Sequence, residues 1–284
     1  MKKSMRYIIA TVSLLLLCCS VEVIHGCGWF LLREEYRISL FYPEVVSDKS
    51  MSPFYFTTSF LNGEYQDLSG ERSEDERLVL EEWFQYCKGE AAMADIDAIL
   101  YDTEPEKLIS YEKYAQYSRD TGLSSNTFLN YLIEHENKEA FSYILYAKKN
   151  EYLNYSMDPW EDDQWDKDFN AIRQLIHEGD SLYSVTGSSF LKLRYAYQIV
   201  RALRNTGQWG DCIALYDSLI EPSKEKSMVK WWALSHKATA ANFSGNSAYA
   251  DYLFSKVFAN SKDKVNRAFM GFEGKDMDSS LKFV

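Results

Sequence analysis

Glycine and proline are scarce in this chain, with 13 and 5 residues among 284. Sandwiches and barrels need many short turns that draw on these two residues, so the scarcity argues against both architectures. Aromatic residues make up 15% and hydrophobic residues 46% of the chain, which is ample for a buried core and too much for a disordered protein. The composition favours long helices joined by short turns.

Cations are also in short supply, because 31 Lys+Arg stand against 42 Asp+Glu and the net charge is −11. Affinity for nucleic acid depends on clustered cations facing phosphates, so we expect no nucleic-acid partner. Cys18 and Cys19 lie in an N-terminal leader, which leaves Cys27, Cys87 and Cys212. Three cysteines cannot form a closed disulfide framework. Helix packing must therefore supply the stability.

The leader has no apolar run long enough to span a bilayer. It reads MKKSMRYIIATVSLLLLCCSVEVIHG, in which three cations precede an apolar run over 7–19. That order is typical of a secretory signal peptide, and a spanning helix needs about 20 apolar residues. We expect residues 1–26 to be cleaved and the protein to be exported, to the periplasm or the outer membrane surface. Cleavage leaves 28 Lys+Arg against 41 Asp+Glu, a net charge of −13.

Two alternatives stay open at the leader's end. The letters IHGC, ending at Cys27, partly resemble the lipobox of bacterial lipoproteins, in which a small residue precedes an acylated cysteine. His25 and Glu22 are unusual in that motif. Either Cys27 is lipidated and carries a lipid anchor, or ordinary cleavage occurs after Gly26 or Ser20.

Motifs that carry chemistry are missing as well. His135-Glu136 is not followed by a second histidine at HExxH spacing, and no Cys-x-x-Cys, phosphate loop, GxGxxG or GxSxG occurs. The acidic stretch 158–166 departs from an EF-hand loop, which needs glycine at its sixth and glutamate at its twelfth position. It reads better as a solvated loop before a helix over 167–178. We therefore expect no enzyme, no metal and no cofactor.

Residues 27–70 are rich in aromatics and predict an irregular segment wrapped on helices. A helical pattern begins at Ser73, where SEDE forms a capping box with Glu76, and this helix ends near Gly89. Further helices are expected over 91–101 and 104–117. The stretches 126–134 and 138–148 predict an αα-hairpin that turns at 135–137.

Two stretches 38 residues apart predict one repeated unit, and they begin at the turn glycines Gly207 and Gly245. Five, nine and twelve positions after each glycine, the matched residues are Cys212 with Ala250, Tyr216 with Phe254, and Leu219 with Val257. This pattern resembles the second helix of the tetratricopeptide repeat, in which a small residue lets two helices touch and an aromatic fills the groove beside it. Ala140 begins a weaker copy 72 residues before Cys212.

Three segments resemble a group of large uncharacterised secreted bacterial proteins that carry such repeats. They are CGWF…YRISLFYPE…SPFYF, the stretch 126–148, and 194–201 together with 232–258. The resemblance implies no activity. It implies an all-α fold, an αα-hairpin (TPR-like) solenoid over 71–284 behind the irregular aromatic segment 27–70. Those relatives are longer and no polar capping helix follows, so we expect a member shortened at its C-terminus.

A helical repeat binds partners through the face formed by its first helices. On the first unit, Arg194, Gln198, Arg201 and Asn205 share one helical face, and their forks and amides suit a carboxylate or an extended peptide. A shift of 38 residues adds Trp232, His236, Thr239 and Phe243. The alternative is that Arg194 and Arg201 pair with acids such as Asp180 or Glu178 and only fix the helix.

The sequence thus predicts a non-enzymatic binding or scaffold protein of the cell envelope that holds a protein or peptide. Its rival is a glycan-binding surface lipoprotein, because flat aromatic faces stack on sugar rings. Trp160, Trp165 and Trp209 are the candidates, with ordinary packing as the alternative. Exposed tryptophans favour the glycan, and an exposed arginine face favours the peptide.

Overall fold

A computed structural model describes residues 72–108, 123, 125–154 and 169–272. Within these ranges the chain is mostly helical and contains no strand, which confirms the all-α class. Four predictions lie outside the described residues. They concern the leader with Cys27, the aromatic segment 27–70, the acidic stretch 158–166 with Trp160 and Trp165, and the C-terminal residues after 272.

Ten α-helices are described from start to end, and two of them continue into a π-helical turn; a further helix is described only over 105–108. They are α1 (Glu74–Tyr86), α2 (Met93–Asp97) with the π-turn Ala98–Asp102, α3 (Thr127–Glu134), α4 (Lys138–Asn154), α5 (Phe169–Val185), α6 (Ser189–Asn205), α7 (Trp209–Leu215) with the π-turn Tyr216–Ile220, α8 (Val229–Phe243), α9 (Ser247–Asn260) and α10 (Val265–Gly271).

The predicted capping box starts α1. The Ser73 hydroxyl accepts from the Glu76 N–H at 3.1 Å, and the Glu76 carboxylate accepts from the Ser73 N–H at 3.0 Å. Two of the backbone donors that a helix start leaves unpaired are thereby satisfied. The helix stops before Gly89, whose φ of 77° suits glycine. The prediction is confirmed.

The predicted hairpin is confirmed in α3 and α4. Asn126 caps α3, because its side-chain oxygen accepts from the Leu129 N–H at 3.0 Å. The chain reverses at 135–137, where Glu136 has a φ of 49°. Asn137 then starts α4, accepting from the Ala140 N–H at 3.2 Å.

The repeated unit has the same turn twice. Gly207 and Gly245 take φ values of 72° and 83°, which L side chains rarely adopt. The next residue's N–H reaches back five residues in both turns, at 3.0 Å from Gln208 to Leu203 and at 3.0 Å from Asn246 to Ala241. Cys212 and Ala250 are both 0% exposed, so the small residue sits at a close helix contact in each copy.

Three helices differ from their predicted extents. The helix expected over 91–101 changes to a π-turn at Ala98, and of the one expected over 104–117 only 105–108 is described as helical. The helix expected over 167–178 is α5, which runs on to Val185. It stops where Thr186 and Gly187 donate to the carboxylate of Glu139 on α4.

The helices from α4 onward pack in two rows. In what we call the first row, α4, α6, α8 and α10 each pack on the next one. In the second row, α5, α7 and α9 each pack between two members of the first row. A continuous core of aliphatic and aromatic side chains lies between the rows. Burial of this core is the main favourable contribution to stability.

Close contact of α5 with the first row makes one glycine a test of the packing. A Cβ on Gly179 would lie 2.2 Å from the Tyr146 hydroxyl and 2.8 Å from Ile199, whereas a Cβ on Gly210 of α7 meets nothing within 4 Å. We expect Gly179→Ala to lower the free energy of unfolding by about 2 kcal/mol through overpacking. Gly210→Ala should raise it by about 1 kcal/mol through helix propensity. Urea unfolding measures both, and equal effects would contradict the packing described.

Candidate partner-binding face

The predicted binding stripe divides into buried and accessible members. Buried are Arg194, Gln198, His236 and Thr239, with exposed fractions of 1%, 6%, 6% and 9%. Arg201, Asn205 and Trp232 are partly exposed, and Phe243 is 67% exposed. All are on α6 or α8 of the first row. The stripe therefore does not form one open surface.

Arg194 pairs with a carboxylate far away in the sequence. Its guanidinium donates to Glu82 of α1 at 2.5 Å, and Glu82 lies 112 residues earlier. The suggested partners Asp180 and Glu178 are wrong, since Glu178 instead pairs with Lys149 at 3.1 Å. Glu82 also accepts from Ser227 Oγ at 2.7 Å and from the Met228 N–H at 2.8 Å. One carboxylate thus joins α1, α6 and the segment that leads into α8.

The Arg194 guanidinium is enclosed by aromatic rings. Its carbon lies 3.3 Å from the centre of the Phe190 ring and 5.4 Å from that of Trp83. Burial lowers the pKa of Arg194, and the charge of Glu82 opposes that shift. Among the described residues, Arg194 Nε and Gln198 Oε1 have no hydrogen-bond partner. Arg194 and Gln198 therefore belong to the protein interior and not to an open binding surface.

Asp75 makes a second connection from α1, seven residues before Glu82 and so on the same helix face. Its carboxylate is 1% exposed and accepts from the Trp232 indole at 3.1 Å and from Ser261 Oγ at 2.5 Å. It also accepts from two backbone N–H groups, of Lys262 at 3.0 Å and Asp263 at 3.2 Å. Trp232, which the sequence predicts to bind a partner, therefore binds α1 of the same chain.

Helix α1 consequently reaches three members of the first row. Trp83 stacks on Tyr143 of α4 at 5.8 Å, Glu82 holds α6, and Asp75 holds Trp232 of α8. These contacts fall at Arg194 and Trp232, near the N-terminal ends of α6 and α8. The N-terminal half of the first row is thus engaged by α1.

Cations lie on α6 beyond Arg194 and at the start of α10, where Lys264 Nζ is 5.2 Å from the centre of the Trp232 ring. Arg201 and Arg204 lie three residues apart on α6, and Lys264 and Arg267 lie three residues apart at the start of α10. We call these four side chains the cation cluster. Among the described residues none of them forms an ion pair with a carboxylate, although the chain as a whole is acidic. Burial, followed by repulsion from Arg267 and Arg201, lowers the pKa of Arg204 to about 10.

His236 of α8 lies inside the cation cluster. Arg204 Nε donates to His236 Nδ1 at 3.3 Å, so that nitrogen acts as the acceptor of a neutral imidazole. Burial lowers the pKa of His236 well below its usual value, and the charges of Arg204, Arg267, Arg201 and Lys264 lower it further. Protonation would place a fifth positive charge among the four.

An open groove of about 570 Å³ lies where α1 meets the segment before α8. Its volume is in the range of small ligand sites. Its lining includes Leu78, Glu81, Glu82, Gln85, Tyr216, Glu225, Lys226, Met228, Lys230 and Trp231. Charges of both signs occur there, so the lining selects no single class of ligand.

Of the tryptophans considered for sugar binding, only Trp209 is described. It is half-buried and stacks on Phe243, with ring centres 4.8 Å apart and planes at 12°. Phe243 is 67% exposed. The pair forms an exposed aromatic platform at the C-terminal end of α8.

Nothing described suits metal or thiol chemistry. Within the described ranges no three His, Cys, Asp or Glu side chains are grouped as metal ligands. Burial raises the pKa of Cys87 and of Cys212 to about 12, which keeps both thiols protonated and unreactive. None of the described helices is both long and apolar enough to cross a membrane.

Sequence reasoning missed Glu82, Asp75, Arg204, Lys264 and Arg267. The sequence did indicate a role for Arg204, because it follows Arg201 by three residues on the same predicted helix. The other four had none, since their importance depends on helices that meet only in the folded chain.

Glu82 is the first residue to test. Glu82→Ala leaves a buried guanidinium without its counter-charge, so we expect the free energy of unfolding to fall by about 3–5 kcal/mol. The matched control is Glu81→Ala, an exposed neighbour whose loss should change stability by less than about 0.5 kcal/mol. Urea unfolding monitored by circular dichroism compares them. Losses of similar size would show that the Glu82 pair does not hold α1.

The lowered pKa of His236 predicts a pH-dependent stability. The unfolded histidine takes up a proton below about pH 6.5 while the folded one does not, so this contribution is present above that pH and is lost as the pH falls. Between pH 7.5 and 5.5, wild type should lose about 1.4 kcal/mol relative to His236→Gln. Parallel unfolding curves at the two pH values measure it, and a constant difference would refute the assignment.

Comparisons with known proteins identify no relative. No protein-family model matches the chain, and no curated protein or solved structure shows a significant match. The resemblance to secreted bacterial proteins with tetratricopeptide-like repeats therefore stays a prediction. Function has to be inferred from the residues themselves.

Proposed function

We propose that this chain is a non-enzymatic binding or scaffold protein of the cell envelope. In this proposal its αα-hairpins stack in the manner of tetratricopeptide repeats and hold a protein or peptide partner on the first row. The two-row packing from α4 to α10 and the turn repeated at Gly207 and Gly245 support the stacking. Export rests on the leader sequence, with lipidation at Cys27 and simple secretion as the alternatives.

The single observation that carries the proposal is the cation cluster. Charges that serve only to fix a helix are normally paired with acids, as Arg194 is with Glu82. Arg201 and Arg204 lack such a partner among the described residues, in a chain with 42 acidic side chains. Repulsion within the cluster costs free energy in the unbound protein, which an arriving anionic group offsets.

The proposed binding region is therefore smaller than the stripe of residues predicted from the sequence. The N-terminal parts of α6 and α8 are engaged by α1, and the proposed partner binds at the C-terminal part of α6, which carries Arg201 of the predicted stripe. Arg194 and Trp232 serve this face indirectly, because their bonds to α1 fix the helices that carry it.

A glycan-binding surface protein is the second candidate, favoured by one observation. The stacked pair of Trp209 and Phe243 exposes aromatic surface at the end of α8. Aromatic faces of this kind stack on apolar faces of sugar rings. The two candidates use different residues, so variants separate them.

We expect crosslinking and co-purification from the native envelope to recover a specific protein with the wild type. Arg201→Ala/Arg204→Ala should reduce that recovery at least about tenfold, because charge pairs at an interface are commonly worth more than 1.4 kcal/mol together. The matched control is Arg173→Ala/Lys256→Ala, which removes two exposed cations from the second row. Matched thermal unfolding of the variants shows that differences in recovery do not come from unfolding.

Other outcomes contradict the proposal. Equal recovery with both double variants, or recovery of no protein, would contradict binding of a partner at the cation cluster. Polysaccharide recovered with the wild type and lost with Trp209→Ala would establish the glycan candidate instead.

A further inference from the structure

Resting on the function above, we propose that the cation cluster binds an acidic segment of the partner through its carboxylates, and that His236 takes up a proton when the segment binds. The four cations form two pairs, none of them has an ion pair with a carboxylate among the described residues, and Arg204 contacts His236.

The arrangement favours several carboxylates over one compact anion. The cations come in two pairs, Arg201 with Arg204 on α6 and Lys264 with Arg267 at α10, and α8 packs between those helices. Packed helix axes lie about 8–10 Å apart, so α6 and α10 are separated by roughly twice that distance. An extended segment advances about 3.3 Å per residue, and carboxylates a few residues apart reach both pairs. A single phosphate suits one pair.

Guanidinium groups also match the geometry of carboxylates. Each arginine offers a planar fork that can donate two parallel hydrogen bonds to one carboxylate. Three of the four cations are arginines, and Arg267 is exposed while Arg201 and Arg204 are half-exposed. The groups are accessible to a segment that lies on the surface. Arg201 and Arg204 are also partly shielded from water, which strengthens charge pairing there.

His236 is surrounded by positive charge from both neighbouring first-row helices. On α6 the nearby groups are Arg201, Arg204 and the ring of Tyr197 at 5.9 Å, and Lys264 and Arg267 contribute from α10. Carboxylates also lie on the other elements packed against α8, among them Asp251 of α9, which is 1% exposed. Asp75 of α1 binds Trp232 and the backbone N–H groups of Lys262 and Asp263. Asp217 of the second row binds Lys237 at 2.5 Å, and the charge of the Asp263 carboxylate interacts with that of Lys264.

Carboxylates bound at the cation cluster make the surroundings of His236 less positive. Their negative charge offsets the four cations and makes a protonated imidazole favourable at His236. Protonation at Nδ1 turns the acceptor of the Arg204 hydrogen bond into a donor, which frees Arg204 Nε for the segment. The proton comes from solvent and no covalent bond between heavy atoms changes. Because the coupling is reciprocal, the acidic segment must bind more tightly at lower pH.

The probe is a rhodamine-labelled peptide of six glutamates, titrated with the purified mature full chain and followed by fluorescence anisotropy. Its carboxylates stay ionised at pH 5.5, since their pKa is about 4.3. We expect binding that Arg201→Ala/Arg204→Ala weakens at least about tenfold. The control Arg173→Ala/Lys256→Ala should bind as wild type. A six-lysine peptide should not bind, and inorganic phosphate should compete only weakly.

The proton uptake is tested by repeating the titration at pH 7.5 and 5.5 at constant ionic strength. Wild type should bind the six-glutamate peptide up to about tenfold more tightly at pH 5.5. His236→Gln should lose that pH dependence. Equal affinities of the wild type at both pH values, or an unchanged pH effect in His236→Gln, would overturn the proton uptake.

Three outcomes would overturn the acidic segment as ligand. They are no binding of the six-glutamate peptide, equal loss with both double variants, and displacement by phosphate as effective as by unlabelled peptide. If the peptide fails while an envelope protein is still lost with Arg201→Ala/Arg204→Ala, the scaffold function stands and only the carboxylate chemistry falls. If both fail, the function itself falls.

Discussion

The ion pair between Glu82 and Arg194 is the contact on which the rest of the structure depends. It closes a separation of 112 residues and places α1 across helices that follow much later in the chain. Because Arg194 is 1% exposed, water cannot solvate its charge if Glu82 is removed. Asp75, on the same face of α1, extends the clamp to Trp232 and the segment before α10. Two carboxylates on one helix thus fix the relative positions of α6, α8 and α10.

This clamp also decides which part of the first row is left for a ligand. Two aromatic or cationic residues that look like ligand groups in the sequence, Arg194 and Trp232, are used by α1 itself. The next turns of α6 lie beyond that contact, and there Arg201 and Arg204 have no carboxylate among the described residues. A chain with a net charge of −11 has ample acids to neutralise these cations internally. The absence of a carboxylate partner for them in the described ranges is the physical basis of the proposed partner site.

Local features were predictable, and long-range ones were not. The cap at Ser73 and the turn glycine Gly207 depend on residues within a few positions, so the sequence pattern predicted them and the structure confirms them. The partner of Arg194 was predicted wrongly because nearby acids were favoured, while 42 acidic side chains compete for each cation. The end of α5 was likewise missed, because it is set by Glu139, 47 residues before Thr186. The cation cluster needed α10, whose approach to α6 no local pattern reveals.

The most direct test of the central claim is site-specific photo-crosslinking in the native envelope, with a photoreactive amino acid at position 205 or at position 218. Asn205 lies at the cationic end of the first row, and Ser218 is exposed on the π-turn of the second row. A binding site on the first row predicts one dominant protein adduct from position 205 and none of that mass from position 218. Adducts of equal yield from both positions, or from position 218 alone, would contradict it.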